Sequence, residues 1–154
     1  MATQRPAPMI EPLRKSVTVK LSPGEAFELF TSGINRWWPL ATHSVFQERA
    51  AECVMEQRVG GELYEVRDDG ERSPWGVILT WDPPRRVVFR WHPGREPETA
   101  QEVEIRFSDV RDTTVVELIH RGWEHYGEGA EEMRGRYSGG WDLVLGRFVE
   151  TAGR

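Results

Sequence analysis

The sequence predicts an α+β fold, a curved antiparallel seven-stranded sheet around a long C-terminal helix, with two short helices after strand 1. Three observations carry this. Short segments up to residue 120 alternate apolar and polar side chains, the period of half-buried strands. The period then changes: Tyr137, Trp141, Val144, Leu145 and Phe148 fall on one helical face, with Asp142, Arg147 and Glu150 pointing away. Residues 75–91 read as a hairpin rich in tryptophan, turning at Asp82-Pro83-Pro84-Arg85, whose prolines do not suit a central ladder.

Taken in order, residues 1–12 read as a flexible arm and residues 13–154 as a single domain. Val17, Val19 and Leu21 form the buried face of a first strand. Ser22 is a good N-cap, Pro23 suits the first helical position, and Glu25 completes a capping box for a helix burying Ala26, Phe27 and Phe30. A second helical turn over residues 34–38 stops at Pro39. On a helix, Trp37 and Trp38 cannot both face inward, so one is assigned to the core and the other to a pocket mouth or a homodimer contact.

Cys53 and Met55 share a face of the next strand, and Gly60-Gly61 opens another that runs to the turn at Asp68-Asp69-Gly70. In the hairpin, Trp75, Val77, Leu79 and Trp81 are expected on one face, as are Val87, Phe89 and Trp91. Val103, Ile105 and Phe107 line the following strand, and Thr114, Val116, Leu118 and His120 the last. The terminal helix, started near residues 129–132, would run about 35 Å, enough to cross the sheet. Its glycines at 135, 139, 140 and 146 each cost roughly 1 kcal/mol against Ala, so packing must hold it.

At 154 residues the chain has the size of one domain, able to bury roughly 70% of its unfolded surface. A net charge of −5 argues against a nucleic-acid surface, which wants clustered Lys and Arg. No segment has the roughly 20 apolar residues of a membrane span. The start resembles no signal peptide, so a cytoplasmic location is the expectation. A single cysteine, Cys53, allows no internal disulfide.

Specific segments resemble the SRPBCC (START-like, helix-grip, Bet v 1-like) superfamily, and within it the branch named for the activator of heat-shock protein 90 ATPase. They are Ile34-Asn-Arg-Trp-Trp-Pro39 with Thr42-His-Ser44, Val59-Gly-Gly61, Trp75-Gly76 with Trp81-Asp-Pro-Pro-Arg85, His120-Arg-Gly-Trp123 and Gly139-Gly-Trp141. The resemblance covers roughly residues 14–150. It implies a hydrophobic cavity between the sheet and the last helix. It implies no single reaction, because members range from lipid carriers to cyclases to co-chaperone domains.

Candidate site residues are Trp38, Trp75, Trp81, Phe89, Trp91, Leu118, His120, Trp141 and Leu145, read as the walls of a pocket for a hydrophobic or aromatic small molecule. The tryptophans are either an aromatic box or core filling. His120 is either a polar anchor or acid/base at one end of the pocket, or a buried histidine bonded to a backbone carbonyl or an indole N–H. Glu62, Glu102, Glu104 and Glu117 read as the solvated sheet face, whereas Glu65 shares the parity of Leu63 and could approach the cavity. Tyr64 takes the convex side if Leu63 faces inward, and His92 alternates outward against Trp91.

The histidines lack metal-ligand spacing, and no serine sits in a nucleophile elbow. No catalytic residue, metal or cofactor is assigned. Ligand binding without catalysis is the favoured function. The alternatives are a small cyclase, aromatase or hydrolase using His120 and Glu65, and a protein-interaction module whose interior is simply packed.

Overall fold

The computed structural model describes residues 10–153. In chain order the elements are β1 (Leu13–Val19), α1 (Pro23–Phe30), β2 (Ala50–Met55), β3 (Glu62–Arg67), β4 (Arg72–Asp82), β5 (Arg86–Trp91), β6 (Gln101–Val110), β7 (Thr113–Arg121) and α2 (Ala130–Ala152). The seven strands form one antiparallel sheet in the order β1-β7-β6-β5-β4-β3-β2. The sheet curls as a half-barrel around α2, the helix-grip arrangement. No described helix is long and apolar enough to cross a membrane.

Of the arm at 1–12, residues 1–9 lie outside the described residues. Residues 10–12 run beside α2, where the Arg134 guanidinium donates to the Glu11 carbonyl (2.7 Å) and the Pro12 carbonyl (3.1 Å). Local signals explain the first helix. The Ser22 hydroxyl accepts from the Glu25 amide (3.2 Å), and the Glu25 carboxylate accepts from the Ser22 amide (3.1 Å). With Pro23 opening the helix, α1 presents Ala26, Phe27, Leu29 and Phe30 to the core.

The expected alternation holds in β5, β6 and β7: Val87, Phe89, Trp91, Val103, Ile105, Phe107, Val116, Leu118 and His120 are all buried. It fails in β4. The register with β3 shifts between Leu63 and Tyr64, and the register with β5 shifts between Ile78 and Thr80. These two bulges turn the inward set into Trp75, Ile78 and Trp81, while Val77 is 36% exposed. A bulge adds a residue on one strand only, so hydrophobic period alone does not reveal it.

At the two adjacent tryptophans it is the premise of helical parity that fails. Both Trp37 and Trp38 are buried. The helical turn is a single 3-10 turn, Ile34–Arg36, and the chain leaves it at Trp37 (φ −132°), so helical parity does not apply. Trp37 packs between Phe30 and Phe148, with ring centroids at 5.0 and 5.1 Å.

Two polar residues expected in solvent are covered. Glu104 is buried on the convex face beneath Arg86, Arg106 and Arg121. Burial alone would raise its carboxyl, but hydrogen bonds from Arg106 and Arg121 outweigh this and hold it below the usual value. His92 is buried because the following turn folds back, placing its Nδ1 3.1 Å from the Arg95 carbonyl. Tyr64 takes the convex side, with the Arg72 guanidinium 4.5 Å over its ring.

Candidate functional site

A pocket of about 410 Å³ opens between the sheet and the N-terminal half of α2. Its floor is made by Trp38, Trp75, Trp91 and Trp141. These indoles touch one another: Trp38 lies 5.1 Å from Trp75 and 5.8 Å from both Trp91 and Trp141. Trp91 is 5.5 Å from Trp75 and from Trp141. The remaining walls come from the loop over residues 42–45, from Pro93 and Gly94, and from Met133, Arg136, Tyr137, Gly140 and Val144 of α2.

Every floor indole has its N–H occupied within the protein. Trp75 donates to Glu65 Oε1 (2.6 Å), Trp38 to the His43 carbonyl (2.7 Å), Trp91 to the Tyr137 hydroxyl (3.0 Å) and Trp141 to His120 Nδ1 (3.0 Å). The floor therefore offers the pocket hydrocarbon edges and π faces and no unspent indole donor.

Glu65 holds this arrangement together. Fully buried on β3, its Oε1 accepts from the Val45 amide (2.6 Å) as well as from Trp75, and its Oε2 accepts from the Phe46 amide (3.1 Å). One carboxylate thus pins the pocket loop to the indole floor. Charge-assisted hydrogen bonds of this kind run about twice the strength of neutral ones. The parity that sets Glu65 apart in the sequence leads here to a latch on the loop.

The structure divides the nine sequence-predicted site residues. Trp38, Trp75, Trp91 and Trp141 line the pocket. Phe89, Leu118 and Leu145 are buried in the core behind it. Trp81 lies elsewhere, its ring 5.0 Å from Phe27, beside a separate groove bounded by Pro83 and Pro84.

His120 is fully buried and is not among the pocket-lining residues. Its Nδ1 accepts from Trp141 and its Nε2 meets Gln101 Oε1 at 3.1 Å, which assigns the proton to Nε2. The ring stacks on Trp123 with centroids 4.0 Å apart. Burial pushes its pKa down to about 3, so it stays neutral through the physiological range. It sets the orientation of Trp141 from beneath the wall.

The pocket loop, Met133, Gly140 and the role of Tyr137 are not apparent in the sequence pattern. The helical period puts Tyr137 on the buried face, and its position one turn before Trp141 is the available signal. Among the described residues no group of His, Cys, Asp and Glu could hold a metal ion. Burial pushes the Cys53 thiol up to about 12, with the Glu65 and Glu52 charges adding to it, so it is no nucleophile at neutral pH.

Residues 20–153 match the family described as Activator of Hsp90 ATPase homolog 1-like protein. The chain belongs to this family. Among solved structures it is similar to an anthrahydroquino-Gama-pyrone synthase, Txn09, at 33% identity, covering 92% of this chain and 97% of that one with a TM-score of 0.62. It is similar to the self-sacrificing resistance protein CalC from Micromonospora echinospora at 25% identity, covering 92% and 94%, with a TM-score of 0.66. The Aha1 dimer from Colwellia psychrerythraea shares the fold, with a TM-score of 0.69 at 16% identity over 93% and 96% of the two chains. No curated protein matches the chain.

Proposed function

We propose that this family member binds a planar aromatic small molecule in the pocket between the indole floor and α2. The observation that carries the reading is the floor itself: four contiguous indoles, each with its N–H consumed by the protein, beside a pocket of about 410 Å³. Such a surface suits flat π systems through stacking and apolar contact, and the volume lies in the range of small-ligand sites. The likeness to a synthase named for an anthrahydroquinone-fused pyrone, a flat polycyclic skeleton, supports the same ligand class.

The reading does not use His120 as a proton-transfer group, since both ring nitrogens are engaged and the side chain is sealed from the pocket. It makes Trp38, Trp75, Trp91 and Trp141 the binding residues, with Glu65 and His120 holding them in place.

The test is a titration of intrinsic tryptophan fluorescence with three-ring aromatics such as xanthene and xanthone, in the natural chain and in Gly140→Leu. Gly140 lines the pocket and has open space around its Cα, so a leucine there occupies the ligand volume. Saturable quenching that vanishes in G140L, with the fold retained by circular dichroism, is the expected result. Quenching of equal strength in G140L would place the ligand elsewhere and end the proposal.

A further inference from the structure

The Tyr137 hydroxyl stands apart from the other polar groups of the pocket. Its oxygen accepts the Trp91 indole N–H at 3.0 Å, and that indole is its only hydrogen-bond partner among the described residues. A phenol carries one hydrogen of its own to donate, and no acceptor among the described residues takes it. Of the other polar side chains in the lining, only His43, through its outer ring nitrogen, and the largely exposed Arg136 keep donors without a partner among the described residues. The Ser44 hydroxyl donates to the Leu40 carbonyl (2.6 Å) and accepts from the Gln47 amide (2.8 Å). Thr42 and His43 pair with each other (2.7 Å), and Arg136 pairs with Glu132 (3.1 Å).

The donor is also held in place. The Tyr137 ring packs 5.1 Å from His120 and 5.6 Å from Trp123, and helix α2 sets its direction. Burial raises the phenol above its ordinary value, so at neutral pH it remains a donor. An O–H that already receives a hydrogen bond is polarised toward donating a stronger one.

We infer that Tyr137 is the specificity-determining donor of the pocket, selecting planar aromatics that carry a ring carbonyl oxygen over the same ring systems without that carbonyl. This rests on the reading that the pocket binds planar aromatics. A carbonyl ligand completes the line from Trp91 N–H to Tyr137 O–H to ligand oxygen. A ligand without that carbonyl strips water from the hydroxyl and returns no comparable hydrogen bond, and that asymmetry creates the selectivity.

The test compares xanthone with xanthene, the same three rings with and without the carbonyl, by fluorescence titration of the full chain. The natural protein is expected to bind xanthone about tenfold more tightly, the effect of one hydrogen bond. In Tyr137→Phe the ratio is expected to fall to about one. Because Y137F leaves the Trp91 N–H without its acceptor, the double variant W91F/Y137F removes both groups together and must show the same ratio. If both compounds bind the natural chain without preference, or the preference survives in Y137F and in the double variant, the donor role is wrong and the aromatic-pocket reading stands. If neither compound binds the natural chain, both are wrong.

Discussion

Glu65 shows how one side chain can organise a site without facing a ligand. Its carboxylate accepts from two loop amides and one indole, three donors that no other side chain among the described residues satisfies. Glu65→Gln keeps the shape but brings an amide N–H₂ against those donors. A loss of about 2–4 kcal/mol in urea unfolding is expected, together with faster amide exchange at Val45 and Phe46. His120 is the second buried polar anchor. Replacing it with Phe strands the Trp141 N–H and the Gln101 side-chain Oε1, at a cost of about 2–4 kcal/mol.

His120 also predicts a pH dependence. Its folded pKa of about 3 lies below its ordinary 6.5, so on acidification the unfolded chain takes up the proton first. Stability is therefore complete above about pH 6.5 and falls by up to about 1.4 kcal/mol per pH unit as the pH drops from there toward 3. Glu104, held below its ordinary 4.5, adds a further loss only at the acid end of that window. The Tm of the natural chain is expected to decline between pH 6.5 and 5, and that decline to be absent in H120F.

At the scale of elements, β4 and α2 carry opposite lessons about glycine. In β4 the backbone of β5 closes on Gly76: a Cβ there would sit 1.7 Å from the Arg90 carbonyl oxygen. Gly76→Ala is expected to disrupt the β4–β5 pairing that carries Trp75 and Trp91, seen as insoluble protein or a loss of about 4 kcal/mol or more. In α2, Gly135, Gly139 and Gly146 have open space where a Cβ would go. Alanine at each is expected to stabilise by about 0.5–1 kcal/mol in urea unfolding, because helix propensity rises while the surrounding packing stays as it is.

The same pair of elements shows what the sequence makes legible. Strict alternation identifies the inward faces of β5, β6 and β7, and the helical period identifies α2 with its buried Trp141 and Leu145. Alternation misplaces the inward face of β4 because two bulges reset its parity, and the lone Gly76 inside a strand is the hint of irregular backbone. Trp37 and Trp38 escape the helical rule for a related reason: a 3-10 turn that ends at Arg36 sets no lasting helical parity.

On the scale of the whole molecule, a half-barrel closing on a single helix has aromatic bulk to spare, and its use depends on distances no pattern encodes. The indoles at 75, 91 and 141 are readable as pocket candidates because the fold brings strand and helix faces together. Which of them reach the pocket is not readable, since that depends on the loop latched by Glu65. Trp81 sits at the far end of the same strand, and His120 lies one layer too deep. The chain's seven indoles thus divide into four that line the pocket and three, Trp37, Trp81 and Trp123, that do not.

That division offers the most direct measurement. The indole N–H resonances of ¹⁵N-labelled protein, assigned by single Trp→Phe variants, can be followed during addition of xanthone. The signals of Trp38, Trp75, Trp91 and Trp141 are expected to move together and saturate, while those of Trp37, Trp81 and Trp123 stay in place. Movement confined to Trp81, or no movement at all as xanthone is added, would contradict the aromatic-pocket reading.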